Sequence, residues 1–433
     1  AYTDLGNYSQ AIAYHQQSWQ RARTSNHTRE EGPALGNLGI TYHAMGDYAK
    51  AIEYHQQHLT LARSLANRRG EAVALGNLGL TEHALGNYPK AIDYYQQQLT
   101  IARTIRDRVG ESNALGNLGN AYKALGDYVK AMDYHQQTLA MKRVLGDRKG
   151  EALALGNLGN AYEALGDYTK ALEHYNQTLT TARDISDRKT EVMTLETLGV
   201  IHANLGKNTE AIDYYQQSLA TARAISDRQS EASTLRQLGF ISYIKGDYEQ
   251  SLAYSQQSLA IARSIGDRRT EASILGTLAL VSEQLNDLPQ AIAYQQQNAA
   301  IAKAIGYRQG EWEALAYLGN TFFKSGNLAE AEKQLRAAID ILESLRPGLD
   351  DSHKVMIFDT QVLTYTLLQQ VLIAGGKPEA ALEIAERGRT RAFVELLAQQ
   401  LSPTRAAQSA IAVAPPTIRQ IQTIAKQQNA TLV

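Results

Sequence analysis

The residues best suited to do chemistry in this chain are amides. Asn37, Asn77, Asn117 and Asn157 recur at a spacing of 40 residues, and Asn120 and Asn160 stand three residues after two of them. A primary amide carries two N–H donors and a carbonyl acceptor, so a row of them can pair with the N–H and C=O groups of an extended chain. The same row can instead bond sideways and tie neighbouring elements together. Residue type alone leaves both uses open. Further along, the first position becomes Thr197, Gln237, Thr277 and Tyr317, and the second becomes Val200, Phe240 and Leu280. Arg236 and Glu196 replace a glycine seen at Gly36, Gly76, Gly116, Gly156 and Gly276. The pattern predicts a strip that is polar towards the N-terminus and more apolar over 200–280, with Arg236, Gln237 and Phe240 among its contact groups.

Other chemistries find little footing. The chain has no cysteine, which excludes disulfides, thiolate zinc sites and a cysteine nucleophile within it. That composition suits a reducing compartment, and a cytoplasmic location is expected. His55 and His58 are three apart on one predicted helix, a spacing that can bring two imidazoles together. His55, however, occupies a position shared with Tyr95, His135, Tyr175 and Tyr215, so it reads as a packing residue and no metal is expected. No Ser/His/Asp, Walker or Rossmann arrangement appears, so neither catalysis nor a cofactor is expected. With 43 Lys+Arg against 44 Asp+Glu, the chain lacks the clustered basic charge of a nucleic-acid binder. No apolar run is long enough to predict a membrane span. Gln56-Gln57, Gln96-Gln97 and Gln216-Gln217 read as a solvated outer face. Arg387, Arg389 and Arg391 read either as a solvated helix end or as a contact for an acidic partner.

The elements that must position these groups come from the same 40-residue period. A marker glycine recurs as Gly39, Gly79, Gly119, Gly159, Gly199, Gly239 and Gly319, with Ala279 as the exception. Such a period signals units that cannot bury an apolar face alone and stack on one another. Each unit reads as two helices. Leu35, Leu38, Tyr42 and Met45 form the apolar stripe of the first; Tyr48, Ala51, Ile52, His55, Leu59 and Ala62 form that of the second. Between them Gly46 suits the left-handed C′ position and Asp47 the N-cap. Gly39 lies inside a helix, where glycine costs about 1 kcal/mol relative to alanine. Close approach of the paired helix is the expected reason. Asp107, Asp147 and Asp187 are expected to cap the first helices that come after them, with Arg108, Arg148 and Arg188 pairing three residues on.

Residues 1–27 read as a truncated unit, 28–347 as eight full units, and 348–401 as a divergent pair capping the stack. Residues 402–417 read as a linker, and 418–433 as the start of a further domain.

Leu35, Leu38, Gly39, Tyr42 and Ala51 fall on signature positions of the tetratricopeptide repeat, which the chain resembles over about 1–347. The resemblance implies an all-α solenoid, a right-handed superhelix of antiparallel helix pairs whose first helices line a concave groove. The usual helix-ending proline is missing near Arg63. The longer period is similar to that of the Pins/LGN adaptors and, more loosely, the kinesin light chains, as is Asn157-Leu158-Gly159-Asn160-Ala161-Tyr162. In kinesin light chains and chaperone-binding repeat proteins, asparagines at these offsets clamp a peptide backbone. The resemblance therefore implies groove contacts at Asn37, Asn77, Asn117, Asn157, Asn120 and Asn160. The run Ala381–Leu397 resembles the segment between repeats and protease in bacterial CHAT proteins, many of them cyanobacterial. Ile424–Val433 is similar to the opening strand region of their caspase-like domain. These likenesses imply a regulatory or ligand-sensing scaffold for a protein or peptide, or for the C-terminal domain of the same protein. The other reading is an adaptor that bridges two proteins.

Overall fold

The computed structural model of the chain describes residues 7–25, 28–345 and 351–387, and among them every regular element is an α-helix. Tyr2, Gly6, Arg389, Arg391, the 402–417 linker and the 418–433 segment lie outside the described residues. Two compact units make up the fold. The N-terminal unit, 1–207, holds α1 (Tyr8–Thr24), α2 (Thr28–Met45), α3 (Tyr48–Ser64), α4 (Arg68–Ala84), α5 (Tyr88–Thr104), α6 (Arg108–Ala124), α7 (Tyr128–Leu145), α8 (Arg148–Ala164), α9 (Tyr168–Asp184) and α10 (Arg188–Asn204). The C-terminal unit, 208–433, holds α11 (Asn208–Ala224), α12 (Arg228–Ile244), α13 (Tyr248–Ile265), α14 (Arg268–Gln284), α15 (Leu288–Ala304), α16 (Arg308–Lys324), α17 (Leu328–Leu345) and α18 (Asp351–Ala374), with a further helix over 378–387. From α1 to α17, links of two or three residues force successive helices antiparallel. Even-numbered helices up to α16 are the first helices of the repeats, and odd-numbered ones are the second.

The link at Gly46-Asp47 does two jobs at once. The Asp47 N–H bonds the Tyr42 carbonyl at 2.9 Å and the Gly46 N–H bonds the His43 carbonyl at 3.0 Å, closing a Schellman turn on α2. The Asp47 side chain then accepts from the Lys50 N–H at 3.2 Å and caps α3. Gly46 has φ +85° with nothing near its would-be Cβ, so the glycine is there for the left-handed turn and not for space. The links between repeats use the same device with Ala66, Arg106, Ser186 and Ser226 at positive φ. Their caps are Asn67, Asp107, Asp147 and Asp187 in the N-terminal unit, and Asp227 and Asp267 in the C-terminal unit.

The marker glycines answer a different demand. A Cβ on Gly39 would stand 2.3 Å from the His55 ring, one on Gly79 2.5 Å from Tyr95, and one on Gly119 2.5 Å from His135. The close approach is thus between a bare first-helix backbone and a ring of the second helix. At Gly239 the neighbour is Ser255, and at Gly319 it is Leu335. Around this contact Leu75, Leu78, Leu115, Leu118, Leu155 and Leu158 are buried. Each contributes about 1.5–3 kcal/mol by leaving water. Met45 does not join that stripe. It is exposed, as the last residue of α2 it reaches past the packed part of the pair, and Leu85, Leu125 and Leu165 share its fate.

Between repeats the joint is ionic. Glu71 is buried and takes Arg63 Nε at 2.9 Å and Arg68 Nη1 at 2.6 Å. Glu151 with Arg143 and Arg148, and Glu191 with Arg183 and Arg188, repeat the clamp in the N-terminal unit, as Glu231 with Arg223 and Arg228 does in the other. Burial works against the charge on Glu151 and Glu191, but the arginines outweigh it and hold both carboxyls below the usual range. In the last described part of the C-terminal unit, Tyr365, Leu368, Val371, Leu372, Ala381 and Ile384 pack on the α16/α17 core. Arg387 adds a bidentate pair to Glu343 at 2.8 and 2.6 Å.

The ring contact can be tested in two ways. Gly159→Leu puts a side chain where a Cβ alone would lie 2.9 Å from Tyr175, and overpacking of this kind costs about 1–3 kcal/mol. Thermal unfolding is expected to show a lowered midpoint; an unchanged one sinks the account. The second test uses acid. Burial, reinforced by His58 and His43, lowers the His55 pKa to about 4, and burial with Lys123 does the same to His135. The unfolded chain takes these protons near pH 6.5 and the folded chain resists until about 4, so stability is full above 6.5 and falls as pH drops through that window. The loss is on the order of 3 kcal/mol per histidine. Replacing both by tyrosine, the residue at positions 95 and 175, should flatten the melting midpoint between pH 7 and 5.

Candidate functional site

Every first helix turns one narrow face outward. In the N-terminal unit Asn37 is exposed and Asn77, Asn117 and Asn157 are half-buried, each four residues after positions 33, 73, 113 and 153 and three before 40, 80, 120 and 160. At 3.6 residues per turn these three positions share a side. They put Ile40, Val73, Leu80 and Leu153 in solvent beside the amides, and Met193 in solvent beside Thr197 on α10. The expected contrast between a polar N-terminal strip and a more apolar stretch is therefore softer than two positions suggested. The third position, unread in the sequence, carries Val73, Leu153 and Met193.

The amides themselves are unengaged. Among the described residues, the side chains of Asn37, Asn77, Asn117, Asn157 and Asn120 make no hydrogen bond, and Asn77 Nδ2 is buried without a partner. No bond runs from one Asn of the row to the next. Asn160 differs: its Oδ1 accepts from the Tyr175 hydroxyl at 2.7 Å, a hydroxyl that also lies 3.0 Å from Glu163 Oε2. Burial and the Glu163 charge push that phenol's pKa up, so it stays a donor. Asn160 thus links the first and second helices of its own repeat.

The C-terminal unit carries a cavity of about 540 Å³ on the same face, walled by α12, α14 and α16. Arg236, Gln237 and Phe240 meet there with Thr277, Leu280, Glu313 and Tyr317. The bare backbone at Gly276 opens its floor to Asn298 of α15, whose Nδ2 would lie 3.3 Å from a Cβ at that position. Arg236 replaces the corresponding glycine on α12 and contributes a guanidinium to the wall. At one end Tyr307 stands where other first helices have a capping Asp or Asn, and makes no capping bond. Its ring lies against Gly310 and beneath the Arg269 guanidinium, 4.7 Å from the ring centroid. Arg69 pairs with Asp107 at 3.7 Å and Lys149 with Asp187 at 3.6 Å at equivalent places, so Tyr307 exchanges an ion pair for a cation–π contact. Burial raises the pKa of Glu313; burial, then Glu313 and its neighbours, raise that of Tyr317. Sequence reading found Arg236, Gln237 and Phe240 but not Glu313, Asn298 or Arg269. The break in the cap pattern at Tyr307 was the available signal.

His55 and His58 pack against glycines of α2: His55 on Gly39, and His58 on Gly32 and Gly36. Both rings are buried and lowered in pKa chiefly by that burial.

Comparison with known proteins places this arrangement. Models of the tetratricopeptide repeat match residues 1–64, 70–143, 152–184, 190–264, 230–304 and 270–344. Mouse and human tetratricopeptide repeat protein 28 are each 44% identical to this chain over 85 residues. That stretch is 19% of this chain and 4% and 3% of theirs, so the chain spans a small part of the relatives it matches. A signal transduction ATPase with numerous domains and a tetratricopeptide repeat sensor, from Pyrococcus horikoshii, shares the fold. The TM-score is 0.57 at 18% identity, over 83% of this chain and 54% of that one. The apo form of the quorum sensor NprR from B. thuringiensis gives 0.53 at 17% identity, over 78% and 97%. With repeat models matching along most of its length, the chain belongs to the tetratricopeptide repeat family.

Proposed function

We propose that this chain is a protein-interaction scaffold that takes an extended segment of a partner along the outward face of its first helices. The carrying observation is the row of amides at Asn37, Asn77, Asn117 and Asn157, one per repeat and none engaged within the described residues. Side chains that held the stack would bond one another; these are left to a ligand. An extended backbone offers the alternating donors and acceptors that a row of amides matches. Ile40, Val73, Leu80 and Leu153 add apolar contact beside them, as Met193 does beside Thr197. In the C-terminal unit Arg236, Gln237 and Phe240 serve the same purpose around the cavity. A repeat array presents side chains from several helices at one pitch and carries no catalytic arrangement by itself. Among the described residues, no helix is long and apolar enough to cross a membrane.

The resemblance of 381–397 and 424–433 to CHAT proteins supports the narrower reading: a regulatory or ligand-sensing module of a caspase-like protease in the cytoplasm. Its ligand is then a protein or peptide, or the protease domain of the same protein. The 40-residue period favours a second reading, a stand-alone adaptor of the Pins/LGN kind. The sequence of the gene downstream of Val433 separates them: a His and a Cys on a caspase-like α/β pattern support the first.

A partner captured on the array and titrated by calorimetry tests the face itself. One amide–backbone contact is worth about 0.5–1.5 kcal/mol. The double change Asn117→Ala and Asn157→Ala should weaken binding at least several-fold and leave the melting midpoint within a degree or two, since no bond of the stack is lost. Gln136→Ala, on the exposed side of α7, should change neither. Normal binding with a lowered midpoint in the double variant makes the row part of the stack and places the ligand elsewhere.

A further inference from the structure

The cavity of the C-terminal unit contains a carboxylate that the fold does not use. The first helices of this unit, α16 included, carry a buried glutamate in their first turn, and each is met by arginine: Glu231 by Arg223 and Arg228, Glu271 by Arg263 and Arg268, Glu311 by Arg308. Glu313 sits two residues beyond Glu311 and faces the cavity instead. It accepts one hydrogen bond, from Gln309 Nε2 at 3.0 Å, and among the described residues no cation pairs with it. Burial raises its pKa, and no positive group opposes that rise. The charged form is therefore held at a cost which a visiting cation would remove.

The cavity's own guanidiniums are occupied. Arg269 lies over Tyr307, and Arg236 has an interaction partner of its own. Glu283, the next carboxylate near Tyr317, is already paired with Lys324 at 2.6 Å. Two aromatic side chains that the core does not cover line the same cavity: Tyr317, next to Glu313, at 48% exposure and Phe240 at 42%. A ring face attracts a cation, and the stem of a long basic side chain lies well on apolar surface. Equivalent positions on α14 are Ser273, Thr277 and Leu280, and on α12 Ser233 and Gln237, so the combination of one carboxylate and two exposed rings is confined to this cavity among the first helices.

We infer that the cavity walled by α12, α14 and α16 receives an arginine or lysine side chain of the partner's segment, with Glu313 pairing its charge and Phe240 and Tyr317 flanking its stem. The inference rests on the reading that the first-helix face takes a peptide, and adds a basic residue to what that peptide must contain.

Short fluorescein-labelled peptides of Gly, Ser and Leu, identical but for one central Arg, Gln or Glu, test it by anisotropy on the full chain. The Arg peptide should bind at least tenfold more tightly than the Gln peptide, and the advantage should shrink as salt rises. Glu313→Gln should bring the ratio close to one with the melting midpoint unchanged, and Glu313→Asp should keep part of it. Tyr317→Leu, which retains apolar contact, should lower the Arg preference without abolishing it. Equal binding of Arg and Gln peptides overturns the assignment of a basic residue and leaves the peptide face standing. Preference for the Glu peptide overturns it in favour of anion capture by Arg269. Binding of none of the three overturns both readings for this cavity.

Discussion

A Cβ on Gly39, Gly79 or Gly119 would lie within 2.5 Å of a ring on the paired helix, so in these repeats the two helices meet through a bare strip of backbone. The rest of the packing is set by that distance. It draws the helices close enough for leucines such as Leu75, Leu78, Leu115 and Leu118 to lose their solvent entirely. It fixes which side of the first helix faces its partner, and thereby which side faces out. The outward amides at Asn37, Asn77, Asn117 and Asn157 stand two residues from the marker glycine, on the flank that the inward contact leaves over.

The links carry the second constraint. Asp47 completes the turn that ends one helix and caps the start of the next, so a link of this kind satisfies the loose backbone groups of two helix ends; Asn87 and Tyr307 make no side-chain cap. Glutamates such as Glu71 and Glu151 then bind arginines from both sides of the adjoining link. Burying such a charge is costly unless it is paired, so the clamp ties repeat to repeat; among the described residues Glu111, with Arg103 alone, and Glu311, with Arg308 alone, make the same joint with one arginine. Apolar burial supplies the bulk of the stability within a pair, and these clamps set the register between pairs.

Helix pairs, caps and the marker glycine were legible because each depends on neighbours within a few residues. Gly46 and Asp47 announced their turn, and Arg148–Glu151 and Arg188–Glu191 their pairing three apart; among the described residues the same pairing expected of Arg108 is not made, and Glu111 takes Arg103 across the link instead. Arg63, eight residues from Glu71, was not legible, since its reach depends on how the intervening link folds. The ring behind Gly39 was visible as a recurring His or Tyr, but its contact with the glycine backbone was not. On the candidate face, Asn117 and Asn120 stood out as amides while Val73, Leu153 and Met193 did not, because exposed aliphatics have no signature of their own. The cavity was hidden for a further reason: Arg236, Asn298 and Glu313 come from three helices, and only packing brings them together. Lys207 stands where the other links within repeats have Asp or Asn, and the two compact units divide directly after it.

The seat behind the marker glycine is filled by tyrosine at 95 and 175 but by histidine at 55 and 135. In a stack whose repeats touch only their neighbours, stability is a sum of local terms, and a segment can open while the rest holds. Mild acid does not weaken such a stack evenly. It acts most on the repeats that carry His55 and His135, whose buried rings resist protonation down to about pH 4, and less on the Tyr175 repeat, where burial lowers only the flanking His174. The N-terminal unit is therefore unevenly sensitive to acid, most so where histidine fills the seat, and acidification loosens it locally before it loosens it throughout.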